Sequence, residues 1–297
     1  MISAYNSNKV RVSYCQMALA LLACLPLVAT GNTYDPYNAS SSTGDSSATY
    51  RSIVPTGADQ NKSSDVKPAS SELEDLEVLW ATSSGGDRSD RFNSVVARRT
   101  DLTSVAVGST MSISSGRRDA WIAAFDSSGQ MQWQTPVGGA RDDEAFGIVD
   151  LPDGSVVVVG TTASSGAGGT GGLVARLDKN GMVMWQTLVD TPDADALYAV
   201  TALSSGDLVV AGTSGSSRAL VARIEIDGRL VWQKQYSTDV PDTVHDLSVF
   251  ANDDILLIGE LTDLFDANAA LTRMSSAGDV VWHKTFGGDS TGQLTAG

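Results

Sequence analysis

The sequence predicts an all-β fold in which one four-stranded antiparallel unit is repeated about four times. Three regularities beyond residue 73 support this prediction: evenly spaced tryptophans, valine-rich segments that end in glycine, and pairs of apolar runs separated by a glycine-containing turn. A period near fifty residues is typical of an array of small supersecondary units. No apolar pattern of helical period and comparable length occurs in the repeat region.

The tryptophans mark the end of each unit and are separated by 53, 52, 47 and 50 residues. They are Trp80, Trp133, Trp185, Trp232 and Trp282. The valine-rich segments end at Gly108, Gly160, Gly212 and Gly259, with spacings of 52, 52 and 47 residues. Because two independent markers share one period, the whole unit repeats.

Each unit divides into four short strands. In the second unit they are "AFGIVDL", "SVVVVGTT", "LVARLD" and "MVMWQTL", with the turns "PDG" and "DKNG" before the second and fourth strands. Asp and Asn initiate such turns, and Gly adopts the positive φ that closes a hairpin. The second strand is apolar on both faces at 156–159, so both faces of its sheet must be covered by neighbouring sheets. Stacked four-stranded units of this length are typical of a β-propeller.

The stretch from Trp133 to Trp185 resembles a repeat family of bacterial and archaeal β-propellers. That repeat runs W-Q-x-T-F-G-G, an acidic stretch, D-G, V-V-G-x-T, a glycine-rich loop, D-A-W and L-D-x-x-G. "DAWIAAFDSSG" at 119–129 and "WHKTFGGDS" at 282–290 carry the same phrases. The resemblance covers about residues 76–297 and implies a propeller of an exported or surface protein, with no shared catalytic residues.

The number of units does not decide whether the propeller closes into a ring. Four complete units lie between Trp80 and Trp282, preceded by one spare predicted strand, "LEVLWAT", and followed by "TFGGDSTGQLTAG", which restarts the pattern. Either four blades close into a small ring, or the chain is an incomplete or truncated part of a longer propeller. We favour the second because the ending interrupts a repeat and leaves a sheet edge without a neighbour.

Residues 1–31 are predicted to be an export signal. Lys9 and Arg11 precede an apolar run over 17–28, which is too short for a permanent membrane span, and a small-x-small cleavage site follows at 29–31. An alternative is a lipoprotein signal, because "LLAC" would place a lipid on Cys24. Residues 32–72 are predicted to form a Ser/Thr/Asp-rich disordered linker, and residues 73–297 the propeller.

Charge and cysteine content exclude several function classes. The formal net charge of −15 disfavours nucleic acid and anionic membrane surfaces as partners. Cys15 and Cys24 are the only cysteines, so a mature chain without the signal has no disulfide and no cysteine-based metal site. If the lipoprotein alternative holds, the one cysteine that remains is the lipidated Cys24.

The acidic connector "RDDEA" between units is the weak candidate for a metal site. Asp142, Asp143 and Glu144 offer the oxygen ligands that Ca²⁺ requires, but the fixed spacing of a calcium loop is missing. We therefore favour turn-forming, solubilising acids and expect no other cofactor.

Two further repeated side chains have a functional and a structural interpretation. The tryptophans could hold sugars or flat cofactors, but their constant place in the unit favours packing between blades. Arg176, Arg223 and Arg273 recur in the third strand, where the first unit has Ala124. They could form an anion-binding ring, although packing against neighbouring acids is favoured.

The inventory for nucleophilic catalysis is small. His245 takes the position of Phe146 and Tyr198, which predicts a packing role, and His283 takes the position of a surface glutamine. No GxSxG motif is present, and the glycine-rich loop at 164–172 lacks the lysine and the following helix of a phosphate cradle.

The function predicted from these features is a non-catalytic binding or scaffold module, exported to the periplasm, the cell surface or the medium. Its partner would be a protein or a surface polysaccharide, and its oligomeric state stays open. The alternative is a propeller enzyme, quinoprotein-like or polysaccharide-active, that uses the acidic connectors for metal binding or acid/base chemistry.

Overall fold

The structure is a computed structural model that describes residues 78–98, 101–167, 169–216, 218–237, 240–262 and 267–287. The predicted signal over 1–31, Cys24 and the predicted linker over 32–72 lie outside these residues. No helix in the described part of the chain is long and apolar enough to cross a membrane.

All regular structure in the described residues is β-strand, as predicted. The sixteen strands are β1 (Asp90–Ala97), β2 (Ser104–Thr110), β3 (Asp119–Phe125), β4 (Met131–Val137), β5 (Asp143–Asp150), β6 (Val156–Thr162), β7 (Gly171–Leu177), β8 (Val183–Val189), β9 (Asp195–Ala202), β10 (Leu208–Ser214), β11 (Arg218–Ile224), β12 (Leu230–Tyr236), β13 (Thr243–Val249), β14 (Ile255–Thr262), β15 (Ala267–Met274) and β16 (Val280–Phe286).

These strands form four antiparallel sheets, each with its strands in sequence order. We call them blade 1 (β1–β4), blade 2 (β5–β8), blade 3 (β9–β12) and blade 4 (β13–β16). The predicted strands of the second unit agree with β5 to β8 within two residues. This is the blade architecture of a β-propeller.

Most of the hydrophobic core lies between consecutive blades, and a smaller cluster within blade 1 is formed by Ala106, Trp121, Ala123 and Phe125. Every second residue of the second and third strands faces the preceding blade, and the alternate residues face the following one. The contacting second-strand side chains are Val105 and Val107 with Val156 and Val158, Val157 and Val159 with Leu208 and Val210, and Val209 and Ala211 with Ile255 and Leu257. Because the second strands of blades 1 to 3 are buried on both faces, their sequences are nearly continuous apolar runs.

The repeated tryptophans join one blade to the next, which confirms the packing interpretation. The Trp133 ring lies on Gly181 in the turn between β7 and β8, so closely that a Cβ at Gly181 would lie 2.4 Å from the ring. The indole N–H of Trp133 donates a hydrogen bond of 3.1 Å to the carbonyl of Lys179 in the same turn. The same ring-on-glycine contact recurs for Trp80 on Gly129, Trp185 on Gly228 and Trp232 on Gly278. We call this repeated contact the tryptophan peg.

The glycine near the end of each second strand also has a structural reason. A Cβ at Gly160 would lie 1.9 Å from the carbonyl oxygen of Glu144, because β5 bulges at Phe146 and brings its backbone close to β6. Gly108, Gly212 and Gly259 meet the first strand of their blades at 2.0 Å in the same way. The bulge and the glycine therefore repeat together.

The blades do not close into a ring within the described strands. Extensive contacts join β5 to blade 1, β9 to blade 2 and β13 to blade 3, and no comparably extensive contact joins blade 4 to blade 1. The structure agrees with the prediction of a propeller whose blades leave the array open.

The spare strand predicted at "LEVLWAT" is not a strand over its described residues. Residues 78–89 form no ladder, although Trp80 makes the peg contact with Gly129. The strand prediction was wrong because apolar, β-branched composition alone does not make a strand. A strand also needs a partner for its backbone hydrogen bonds.

The tryptophan peg predicts the effect of filling a turn glycine. Gly181 has φ of +82° beneath Trp133, whereas Gly206 has φ of +87° with no atom within 4 Å of its ideal Cβ. The change Gly181→Ala adds a clash with the ring to the backbone strain, and we expect it to lower the free energy of unfolding by about 3 kcal/mol.

The matched change Gly206→Ala carries the strain alone and should cost about 1 kcal/mol. Urea denaturation of both variants measures the difference. Equal destabilisation by the two changes would contradict the peg.

Candidate functional site

The acidic connectors between blades are the first candidate site, and their last aspartate is a structural residue. In blade 2, Asp143 Oδ2 accepts hydrogen bonds of 2.8 Å from the backbone N–H of Gly139 and from the hydroxyl of Ser164. The first contact closes the connector, and the second ties it to the loop between β6 and β7. Asp143 thus fixes the path of the chain from one blade to the next.

Equivalent aspartates do the same in the neighbouring blades. Asp90 accepts hydrogen bonds from Gly86 N at 2.9 Å and from the hydroxyls of Thr110 and Ser112 at 2.5 and 2.7 Å. Asp195 accepts from the backbone N–H and the hydroxyl of Thr191 at 2.6 and 2.9 Å. We call Asp90, Asp143 and Asp195 the connector aspartates. Their spacing is the repeat period, because each closes the same turn.

The hydrogen bonds also set the acidity of Asp90. Partial burial by itself raises the pKa of this carboxyl, but the hydrogen bonds from Thr110, Gly86 and Ser112 together outweigh the burial. They hold the pKa of Asp90 at about 2, below its ordinary value of 3.8.

The other two acids of the "RDDEA" connector have partners of their own. Glu144 is buried and accepts hydrogen bonds of 2.7 Å from Arg91 Nε and from Asn93 Nδ2, and a further one of 2.5 Å from Arg91 Nη2. Arg118 Nη1 lies 3.7 Å from the same carboxylate. The side chain of Asp142 is half exposed, with Arg117 Nε 4.0 Å away.

The three weak candidates for calcium ligation therefore face different partners. Asp143 closes the connector, Glu144 neutralises arginines of blade 1, and Asp142 faces solvent. No group of three or more acidic, histidine or cysteine side chains is arranged for metal binding in the described residues. The sequence could not separate these roles because all three acids are adjacent in the chain.

A second candidate site is the row of side chains at the bulges of the innermost strands. These residues are Asn93, Phe146, Tyr198 and His245, and each occupies the bulge in the first strand of its blade. The rings of Phe146 and Tyr198 are 5.1 Å apart, and those of Tyr198 and His245 are 6.5 Å apart. His245 thus takes the position of the aromatic residues in the neighbouring blades, as predicted, although its side chain is about half exposed.

The row has the chemistry of a stacking surface rather than of an acid/base site. Burial and, secondarily, the charge of Glu144 raise the pKa of Tyr198, which keeps its hydroxyl protonated. His245 Nε2 is 3.7 Å from Glu260, and both side chains are about half exposed.

His283 lies in the fourth strand of blade 4 and contacts the buried Thr272 hydroxyl at 2.8 Å, so it is more enclosed than the predicted surface position.

The recurrent arginines pair with acids, as favoured from the sequence. Arg176 pairs with Asp153 at 2.5 Å, Arg223 with Asp207 at 2.6 Å and Arg273 with Asp254 at 2.6 Å. Each acid belongs to the turn that precedes the second strand of the same blade. Arg176 and Arg223 also donate to the carbonyls of Ile226 and Ser276 in the following blades, so these two side chains join blades.

Sequence reasoning missed Arg91, Asn93 and Arg118 as partners of Glu144, and Asp119 beside the connector of blade 2. These residues come from blade 1, and their partners lie 24 or more positions further along the chain. The only sequence signal was that Asp119 belongs to "DAW", a phrase of the repeat family that the sequence resembles, which occurs once in this chain.

Comparisons with known proteins add fold likeness only. No family model matches the chain, and no curated protein matches it significantly. The resemblance to the specific bacterial and archaeal repeat family therefore stays a prediction.

Similar solved structures include a protein of unknown function from Bacteroides caccae, with 14% identity, 69% of this chain and 84% of that chain covered, and a TM-score of 0.40. The Pan2 WD40 domain of Neurospora crassa has 11% identity, 69% and 60% coverage and a TM-score of 0.42. The PQQ-bound aldose sugar dehydrogenase of Streptomyces coelicolor has 12% identity, 69% and 68% coverage and a TM-score of 0.41. At these identities and TM-scores the likenesses assign no function to this chain.

The lowered pKa of Asp90 predicts a pH-dependent contribution to stability. Because the pKa is about 2 in the folded chain and 3.8 in the unfolded chain, the stabilisation is fully present above pH 3.8 and is lost as the pH falls through 2. We expect Asp90→Asn to lower the free energy of unfolding by about 1–2 kcal/mol at pH 6, because a neutral amide replaces a charged acceptor.

The difference between wild type and Asp90→Asn should shrink towards zero when urea denaturation is repeated near pH 2. Asp87→Asn, in the exposed part of the same connector, is the control and should have little effect at either pH. A wild-type advantage that does not change between the two pH values would refute the role of the ionised carboxylate.

Proposed function

We propose that this chain is a non-catalytic scaffold module, exported or displayed at the cell surface, that binds through the outer face of blade 4. The occupant that we propose is a sheet of the same repeat in a second copy of this chain. The proposal is supported by the outer sheet face of blade 4, which is more exposed than the equivalent faces of blades 1 to 3.

This face, which we call the terminal face, consists of Leu256, Ile258 and Leu271. These side chains alternate with Ile255 and Leu257, which pack against blade 3, and so they point away from it. The equivalent positions are Val105, Val107 and Ile122 in blade 1, Val157, Val159 and Val174 in blade 2, and Val209, Ala211 and Val221 in blade 3, all 0% exposed.

Leu256, Ile258 and Leu271 are instead partly exposed. The apolar character of the position is thus retained in blade 4, although blade 3 covers only the opposite face. Covering an apolar side chain of this size contributes roughly 2 kcal/mol.

The nature of the occupant follows from the three interfaces already present in the chain. Each outward sheet face is covered by another four-stranded sheet, and its fourth-strand tryptophan rests on a turn glycine of that sheet. Trp282 takes the equivalent position in blade 4, with the Lys284 ammonium 5.9 Å from its ring centre. The apolar face of another such sheet, supplied by a second copy of the chain, therefore has the shape and chemistry to cover the terminal face.

The acids suggested for the enzymatic alternative take part in structural contacts. Asp143 is buried and hydrogen-bonded within its connector, and Glu144 is buried and hydrogen-bonded to Arg91 of blade 1. Export rests on residues 1–31, and N-terminal sequencing of the protein from its native host, with mass analysis for a lipid on Cys24, would distinguish cleavage near residue 31 from lipoprotein processing.

The terminal face predicts self-association of the purified chain. We expect sedimentation velocity to show reversible association at micromolar concentrations. The change Leu256→Asp should weaken it at least tenfold, because a carboxylate would be placed in an apolar contact.

The matched control is Met184→Asp, an equally charged substitution at an exposed position of the outer strand of blade 2. It should leave the association unchanged. A chain that stays monomeric at all accessible concentrations, or equal weakening by both changes, would contradict the proposed occupant.

A further inference from the structure

Two buried carboxylates meet at the junction of blades 1 and 2. Asp119 begins β3 and is 1% exposed, while Asp143 begins β5 and is 0% exposed. Arg118 and Asp142, the residues that precede them, form a parallel β-bridge that brings the two strand starts together. Asp143 Oδ2 lies 2.5 Å, and Asp119 Oδ1 3.0 Å, from the point that a Cβ would occupy at Gly138.

Each of these carboxylates uses only one oxygen in hydrogen bonds. Asp119 Oδ2 accepts from the backbone N–H and the hydroxyl of Ser115 at 2.8 and 3.2 Å. Asp143 Oδ2 accepts from Gly139 and Ser164. The Oδ1 atoms of both residues are buried and have no hydrogen-bond partner.

The other connector aspartates show that this is not a general feature of the turn. Asp90 and Asp195 accept hydrogen bonds on both of their oxygens. The position of Asp119 is also particular to blade 1, because Gly171 and Arg218 stand at the start of β7 and β11. Only the junction of blades 1 and 2 therefore combines two buried acids among these three connectors.

The charge of the pair is not balanced by a basic side chain. The neighbouring arginines pair elsewhere, Arg117 with Asp142 and Arg118 with Glu144, and neither Asp119 nor Asp143 has an ion-pair partner in the described residues. Two unpaired buried carboxylates are strongly unfavourable unless a proton or a cation neutralises them.

We propose that Asp119 Oδ1 and the carboxylate of Asp143 bind one Ca²⁺ ion and that this ion fastens blade 1 to the connector of blade 2. All the candidate ligands are oxygens, which favours a hard cation over zinc. Ca²⁺ accepts irregular coordination completed by water and backbone carbonyls, whereas Mg²⁺ demands a near-octahedral set. The site shares only Asp143 with the acids singled out in the sequence.

The test uses the full mature chain, freed of divalent ions with a chelator. Differential scanning fluorimetry with 1 mM Ca²⁺ should raise the melting temperature by about 5 °C, since a ligand that binds only the folded state stabilises it. Calorimetric titration with Ca²⁺ should give one ion per chain.

Two variants separate this site from a general effect of the ion. Asp119→Asn should abolish both the thermal shift and the heat of binding, and should raise the melting temperature of the calcium-free chain because it removes one buried charge. Asp142→Asn, the half-exposed neighbour, should retain the full response. An unchanged melting temperature of the wild type, or a response in Asp119→Asn equal to that of the wild type, would overturn the proposal.

The result is independent of self-association. Sedimentation of the calcium-loaded and calcium-free chains reports on the terminal face, and fluorimetry of monomeric Leu256→Asp reports on the cation alone. Loss of one property without the other identifies which proposal has failed.

Discussion

The packing of one sheet against the next is the constraint on which this structure depends. Blades 2, 3 and 4 bury apolar side chains of their second and third strands on neighbouring blades, whereas blade 1 also has a cluster of its own around Trp121 and Phe125. Blades 2, 3 and 4 therefore depend on the array for their stability, as blades of repeat proteins generally do. The tryptophan peg sets the spacing of the array, since the ring of one blade rests on the backbone of a turn in the next.

The same constraint explains where polar residues appear. The connectors must reverse the chain between blades, and the connector aspartates satisfy the backbone N–H groups that this turn leaves unpaired. Arg176 and Arg223 bridge from a turn in their own blade to the next blade. Charged residues thus support the stacking at the rims, while the apolar residues provide its free energy.

Much of this architecture could be predicted from the sequence because its determinants repeat. Trp133 and Gly181 lie 48 positions apart, but each recurs at the same place in the other units. The period of these recurrences therefore gives the length of one blade. The strand assignment failed at residues 78–82, where composition favours a strand but no partner strand is present. A ladder partner is a tertiary property that local sequence does not contain.

The candidate sites were harder to predict because they depend on contacts between blades. Asp142, Asp143 and Glu144 are adjacent in the sequence, but their side chains contact different residues in the fold. The β-bridge at Asp142 and the bulge of β5 determine these contacts. The meeting of Asp119 with Asp143 requires knowing that strand starts of consecutive blades lie side by side. The pair Asp119 and Asp143 occurs only at this junction among the three connectors compared. No repeated pattern or spacing in the sequence therefore reveals that the two residues meet.

Hydrogen exchange of the native protein, resolved by peptide, tests most directly whether stability comes from stacking between blades. If each blade is stabilised by its neighbours, amides of β6 and β10, which are covered on both faces, will exchange more slowly than those of β14, which blade 3 covers on one face. Equal protection of β6, β10 and β14 in the monomer would contradict the account, because it would mean that each blade is stable without its neighbours.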